Sequence, residues 1–249
     1  MVQIALDDGR YFPERIDNDE RLRVAEESRR LGIGFCFHGP SDVPLMNRHD
    51  SIRGAGISRM LEMIDMAIEM GGEYFIFHPG RLAFFSVSRR EVIFMEQKIP
   101  RRHLDLFSDS ATRLLEHAGD RIKICLENTY SLPEQFLERI GRLAADDGLY
   151  LVWDVGHTEL APTGSRERII RFFNSNIDRV KLGHLHDVAG DSDHRALGTG
   201  KVNVPAYVEI FNTIGADIIL EVFPESALLK SIEYLNKLRP VNGVRQGGR

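Results

Sequence analysis

Short apolar runs rich in β-branched and aromatic residues recur along the chain, each followed by a longer segment whose apolar residues fall three and four apart. Seven runs read as strands: Val2 to Leu6, Ile33 to His38, Tyr74 to His78, Ile122 to Glu127, Leu149 to Asp154, Val180 to His186 and Ile218 to Val222. Six segments between them carry helical periodicity: Arg21 to Leu31, Ile57 to Met70, Asp105 to His117, Pro133 to Asp147, Arg166 to Asn174 and Val204 to Ile214. Gly32, Gly71 with Gly72, Gly148 and Gly215 stand where helix ends are expected. A strand, helix, strand repeat produces a parallel sheet with helical crossovers, and its commonest closed form at 249 residues is the TIM-type parallel β/α barrel of the α/β class.

Seven strands are one short of the usual eight. The chain opens directly in a strand followed by a loop, so either the barrel is incomplete, with its first βα unit missing, or it holds an irregular strand that the pattern does not reveal. Residues Arg81 to His103 mix Phe84, Phe85, Phe94 and Met95 with six basic residues, and an extra helical insertion over the barrel mouth is expected there. Residues 1–239 are expected to form one domain. The tail from Pro240 to Arg249, Gly-rich and without periodicity, is expected to be disordered.

Composition narrows the class without choosing a partner. With 43% hydrophobic residues, a chain of 249 buries a sizeable core. Its 32 Lys and Arg against 37 Asp and Glu leave no net field that demands nucleic acid or a membrane surface. Cys36 and Cys125 sit inside strand runs and form no CxxC pair, which suits a reducing, cytoplasmic location. No stretch approaches the length of a membrane span, and no membrane contact is expected.

The chemistry sits at the strand ends. From the second strand onward, nearly every apolar run finishes on a metal-binding type: His38 in FCFHGP, His78 in FIFHPG, Glu127 in ICLENT, Asp154 and His157 in LVWDVGH, His184 and His186 in KLGHLHD, and Glu221 in IILEVF. His194 follows in SDHRALGTG, so six of the nine histidines belong to this set. A parallel barrel brings such positions to one face. Mixed imidazole and carboxylate donors suit Zn²⁺ or Mn²⁺ better than Ca²⁺ or Mg²⁺. A single strand-end His is as readily structural as ligating, but buried carboxylates need a partner: either a cation or ion pairs with Lys181, Arg195 or Lys201.

As an ordered series, HGP, HPG, LENT, DVGH, HLHD, DH with GTGK, and LEV resemble the xylose isomerase-like superfamily of barrels, which contains endonuclease IV, of AP endonuclease family 2, and the sugar isomerases and epimerases. The likeness runs from about Phe35 to Val222. The epimerase-like branch implies one divalent metal on Glu127, Asp154, His184 and Glu221, with Glu127 and Glu221 as catalytic acid and base. The endonuclease IV branch implies three zinc ions: His38, His78 and Glu127 for the first, Glu127, Asp154, His184 and Glu221 for the second, and His157, His194 and an aspartate for the third. That aspartate slot holds Ser192 here, flanked by Asp191 and Asp193. His157, His186, Arg195 and Lys201 are expected to contact substrate, Lys201 as an anion contact from the GTGK turn. The resemblance thus implies a metal-dependent isomerase or epimerase of a small sugar or sugar phosphate. Its alternatives are zinc-dependent cleavage of DNA at abasic sites and a metal-binding barrel without catalysis. An open seam at the missing strand makes a homodimer a further expectation.

Overall fold

The computed structural model describes residues 1–80, 84–87, 90–93 and 101–238. The chain runs β1 (Val2–Ala5), α1 (Asn18–Leu31), β2 (Phe35–His38), α2 (Asp50–Glu69) and β3 (Gly72–Phe77). It continues through β4 (Phe84–Val87), β5 (Arg90–Ile93), α3 (Arg101–Ala118), β6 (Lys123–Glu127), α4 (Glu134–Asp146) and β7 (Tyr150–Asp154). Then come α5 (Val155–Leu160), α6 (Thr163–Ser175), β8 (Val180–Leu185), β9 (Asp187–Ala189), β10 (Ser192–Arg195), α7 (Val204–Ile214), β11 (Asp217–Leu220) and α8 (Glu225–Leu238). Seven strands form one sheet in the order β1-β2-β3-β6-β7-β8-β11, and every neighbouring pair is parallel. It is a nearly closed TIM-type barrel, with the strand count that the sequence pattern predicts.

Side-chain alternation along each strand builds two cores. Phe37, Phe75, Phe77, Leu126, Leu151 and Trp153 point outward and pack with helix residues such as Met63, Phe107, Phe136 and Phe211 into the main cluster. Cys36, Tyr74, Ile76, Cys125, Val152, Leu182 and Ile219 form a separate cluster drawn from six strands and no helix. Only the inside of a closed sheet assembles such a set. It is an apolar plug, and each buried aliphatic in it contributes about 1.5–3 kcal/mol. Burial pushes the Cys36 thiol up to about 12, with Glu221 adding to the effect, and Cys125 is raised in the same way. Both thiols are therefore protonated packing residues.

Several elements differ from the sequence expectation. Within residues 81–103, residues 84–87 and 90–93 form an antiparallel pair, Phe84↔Ile93 to Val87↔Arg90, in place of the expected helical insertion, and residues 101–103 already begin α3. Its FFSV and EVI stretches are aromatic and β-branched, types that favour a pleated ribbon over a helix. Gly72 opens β3 instead of closing a helix, while Gly32 and Gly215 cap α1 and α7 in the left-handed conformation. Helix α2 starts at Asp50, a turn and more ahead of Ile57. Two helices were not apparent in the pattern: α5 is too short to show a period, and α8 fully buries only Ser231, so its apolar stripe is diffuse. The β9-β10 ribbon is likewise too short to stand out. The tail 240–249 and the domain end at 239 lie outside the described residues. Among the described residues, no helix is long and apolar enough to cross a membrane.

Candidate metal centre

The residues two positions beyond the apolar plug, on the same strands and the same face, are His38, His78, Glu127, Asp154, His184 and Glu221. Because side chains repeat with period two, the strands that bury Cys36, Ile76, Cys125, Val152, Leu182 and Ile219 must aim these six groups into the barrel mouth. His184 and Asp154 are fully buried, and Glu127 is 1% exposed. Among the described residues no Lys or Arg forms an ion pair with Glu127, Asp154 or Glu221; their charged neighbours are histidines. Lys181 is turned away, with Nζ donating to the Asp178 carbonyl at 3.2 Å and resting over the Tyr150 ring. The ion-pair alternative for the buried carboxylates finds no support here.

One ring shows what the set fits. Nδ1 of His184 lies 3.2 Å from Glu127 Oε2, 3.3 Å from Glu221 Oε2 and 4.0 Å from Asp154 Oδ2, yet neither of its nitrogens has a hydrogen-bond partner. Polar atoms that converge in a buried site without aligning on each other are arranged around a shared point. Single donor atoms of Glu127, Asp154, His184 and Glu221 all fall within 4.8 Å of one another. Three carboxylates and an imidazole make a donor set for a divalent cation of the zinc or manganese type. His38, His78 and Glu127 form a second such group. In it, His38 Nε2 is 2.8 Å from Glu127 Oε2 and its Nδ1 lies 2.9 Å from the Gly39 carbonyl, while His78 Nε2 stands 3.7 Å from the same carboxylate.

Burial opposes charge at Glu127, Glu221, His184 and His157, where mutual attraction outweighs it, whereas at His78 burial wins and lowers the ring. Glu127 is held well below the usual carboxylate range by His184 and His78 despite complete burial. Burial raises Glu221, but His184 and His194 bring it down to about 2. Burial lowers His184, yet Glu221 and Glu127 lift it to about 9, and for His157 the same opposition is overcome by Asp154 and Glu127, giving about 10. With no metal bound, His184 holds a proton that a cation on the same nitrogen would displace.

Around the carboxylates lies a layer of positioning contacts. Asp154 ends β7 and also caps α5, its Oδ1 accepting from the His157 N–H at 2.6 Å. That cap sets His157 one turn on, with Nδ1 3.0 Å from the Asn128 carbonyl. Asn128 ties the ends of β6 and β7 together: its Oδ1 accepts from the Asp154 N–H at 2.8 Å, and its Nδ2 donates to the Asp154 carbonyl at 3.1 Å. Gln3 Nε2 donates to Glu221 Oε1, so a side chain bridges β1 to the end of β11, two strands that share no backbone ladder. His186 is completely buried and uses both ring nitrogens: Nε2 lies 3.1 Å from each Asp154 oxygen, and Nδ1 accepts from the His194 N–H at 2.9 Å.

At the rim, Asp193 reaches His194 Nδ1 at 3.0 Å and accepts from the Tyr130 hydroxyl at 2.5 Å, whereas Ser192 and Asp191 are exposed. His194 Nε2 lies 3.7 Å from Glu221 Oε2, and the Tyr130 and His157 rings are 4.3 Å apart. Arg195 and Lys201 stand exposed, and among the described residues no ion pair or hydrogen bond joins either side chain to the cluster. The GTGK turn is clamped instead by buried Asp187, whose carboxylate accepts the N–H groups of Val188, Gly200 and Val202 at 2.8, 2.8 and 3.1 Å. Sequence reasoning did not single out Asn128, Gln3, Asp187 or Tyr130. Asn128 was the most accessible of these, because it directly follows a strand-end Glu.

Convergent histidines and carboxylates at the carboxyl ends of parallel strands define a TIM-type barrel with a candidate metal centre. The sequence matches the family described as xylose isomerase-like TIM barrel over residues 1–238, and the chain belongs to that family. It is 25% identical over 204 residues to the uncharacterized protein MJ1311 of Methanocaldococcus jannaschii, a match covering 78% of this chain and 65% of that relative's length. Its fold resembles a D-tagatose 3-epimerase-like protein at TM-score 0.71, with 22% identity over 95% of this chain and 86% of the other. It also resembles an L-ribulose 3-epimerase at TM-score 0.67, with 17% identity, 99% and 77% being covered. A third similar structure is an IolI protein with a bound zinc atom, at TM-score 0.69 and 19% identity, with 95% and 86% covered.

Proposed function

We propose that this chain is a divalent-metal-dependent isomerase or epimerase of a small sugar or sugar phosphate. The observation that carries the reading is the placement of Glu127 and Glu221. They end β6 and β11, three strands apart in a seven-strand barrel, and meet His184 Nδ1 at 3.2 and 3.3 Å. Moving a proton at a carbon next to a carbonyl needs a base on one face and a proton donor on the other, and two carboxylates approaching from different strands meet that need. Both carboxyl groups are held below the usual carboxylate range, so either one can take the proton; the other must first gain a proton from solvent to deliver it to the opposite face, and the abstracted proton then returns to solvent. A cation held by Glu127, Asp154, His184 and Glu221 would polarise the substrate's carbonyl and hydroxyl oxygens. Asn128 fixes the Asp154 backbone, Gln3 holds the Glu221 carboxylate, and the buried plug beneath closes the site to water from below. The similar solved epimerases and the zinc-bearing IolI protein support this reading.

A second reading, zinc-dependent cleavage of DNA at abasic sites, is favoured by His38 and His78 on Glu127 and by Asp193 at His194, which supply donors for more than one ion. One experiment separates the two. Purified protein loaded with zinc, manganese or cobalt is incubated in D₂O with a panel of ketoses and ketose phosphates, and deuterium beside the carbonyl is followed by NMR. Exchange that disappears in Glu221→Gln supports the isomerase; no exchange with any sugar, together with cleavage of an abasic-site oligonucleotide, overturns it.

A further inference from the structure

His186 stands outside the Glu127, Asp154, His184 and Glu221 donor set and the proton transfer proposed above; its ring does lie within 4.8 Å reach of His157 and His194 donor atoms, but both of its nitrogens are already engaged. Its two nitrogens do different work, and the hydrogen bonds fix which one carries the proton. The backbone N–H of His194 can only donate, and it points at Nδ1 from 2.9 Å, so Nδ1 is the bare nitrogen. Nε2 therefore bears the hydrogen, which it donates to the Asp154 carboxylate, 3.1 Å from both oxygens. A ring bonded in this way has no lone pair left for a metal ion or a substrate hydroxyl.

The surroundings hold that orientation. A Cβ on Gly156 would come within 1.9 Å of the His186 ring, so the DVGH motif keeps a glycine where the imidazole lies on the α5 backbone. The ring also stacks with His194, centroids 4.2 Å apart and planes 8° from parallel. His194 is the sole non-glycine residue with positive φ among the described residues, at 51°. A left-handed conformation is disfavoured for an ordinary residue and persists only when its surroundings impose it. Here the imposing contacts are the His186 ring and the hydrogen bond to its Nδ1.

We infer that His186 is a positioning residue that couples two parts of the site: through Nε2 it orients Asp154 toward the metal, and through Nδ1 it holds the β9-β10 ribbon so that His194 stands beside Glu221. The inference rests on the metal-centre reading for its first half and on backbone geometry alone for its second. Orienting contacts of this kind typically change metal affinity by about 10–100-fold when removed.

Two side chains each reproduce one half of the imidazole. Glutamine places an amide N–H near the Nε2 position but offers no acceptor at Nδ1; asparagine places a carbonyl oxygen near Nδ1 but does not reach Asp154. Zinc affinity is measured by competition with a chromophoric chelator, and exchange of the His194 amide by hydrogen–deuterium exchange, on the full chain. His186→Gln is expected to keep zinc affinity within about threefold while His194 loses amide protection, and His186→Asn to keep protection while affinity falls about 10–100-fold. His186→Ala should lose both. Zinc affinity and amide exchange that stay at wild-type values in both partial variants would overturn the inference, as would both falling together to the same degree in each. Wild-type protein that binds no zinc would overturn the metal-centre reading and the Asp154 half with it, while the amide exchange would still decide the His194 half.

Discussion

Two layers inside the barrel are built by the same strands, two residues apart, and they obey opposite rules. The lower layer, with Cys36, Ile76, Cys125, Val152, Leu182 and Ile219, is a closed apolar plug that leaves nothing to bind. The upper layer buries His38, Glu127, Asp154 and His184 about as deeply, with His78 and Glu221 partly exposed, but leaves both His184 nitrogens without a hydrogen bond. A step of about 6.6 Å along a strand separates them. Burial alone therefore does not distinguish a packing position from a functional one. What distinguishes them is whether the buried groups satisfy one another.

The comparison breaks most sharply at Glu221. Glu221→Gln keeps shape and removes charge, so turnover on the responsive ketose is expected to fall by about a thousandfold while circular dichroism shows the barrel still folded. Unchanged turnover would remove Glu221 from the chemistry. The converse substitution, Leu182→Ala in the lower layer, is expected to cost about 2–5 kcal/mol in denaturant unfolding and to leave zinc stoichiometry intact. Loss of zinc with unchanged stability would show that the layers are not separate. Gln3→Leu removes the donor to Glu221 at the seam, and about a tenfold drop in turnover is expected, with Gln3→Asn no adequate rescue because its amide is one carbon shorter. A drop in stability alone, with full turnover, would make Gln3 a structural bridge only.

The smallest expected effect is on pH dependence. In the metal-free protein His184 and His157 are raised from 6.5 to about 9 and about 10, with burial overcome by the neighbouring carboxylates. Groups raised on folding contribute fully below the unfolded value and lose that contribution as pH climbs through the folded one. Metal-free protein is therefore expected to lose stability between about pH 6.5 and about 10, whereas zinc-loaded protein, with His184 already deprotonated, should decline less. Parallel pH profiles for the two forms would indicate that these histidines do not meet the metal.

Much of the fold was legible because the barrel is periodic at two scales. Apolar runs such as FCF, FIF and LVW mark strands, and their spacing by amphipathic helices dictates parallel pairing. The upper layer was legible too, since each of its carboxylates or imidazoles directly terminates an apolar run. The hairpin of β4 and β5 was misjudged because a mixed aromatic and basic stretch has no clean period of either kind. The positioning layer was illegible for a different reason. Gln3 lies 218 positions from the carboxylate it binds, and no local pattern links a residue of the first strand to one after the last.

Sequence alone determined the repeating architecture, the strand count and the polar residue at each strand end, because these follow from local periodicity and from the two-residue alternation of a pleated strand. Tertiary structure alone decided which of those residues share a point, which nitrogen of His186 carries its proton, and that Gln3 reaches across the seam. Those outcomes depend on closing the sheet, which brings together groups whose separation in space bears no relation to their separation along the chain.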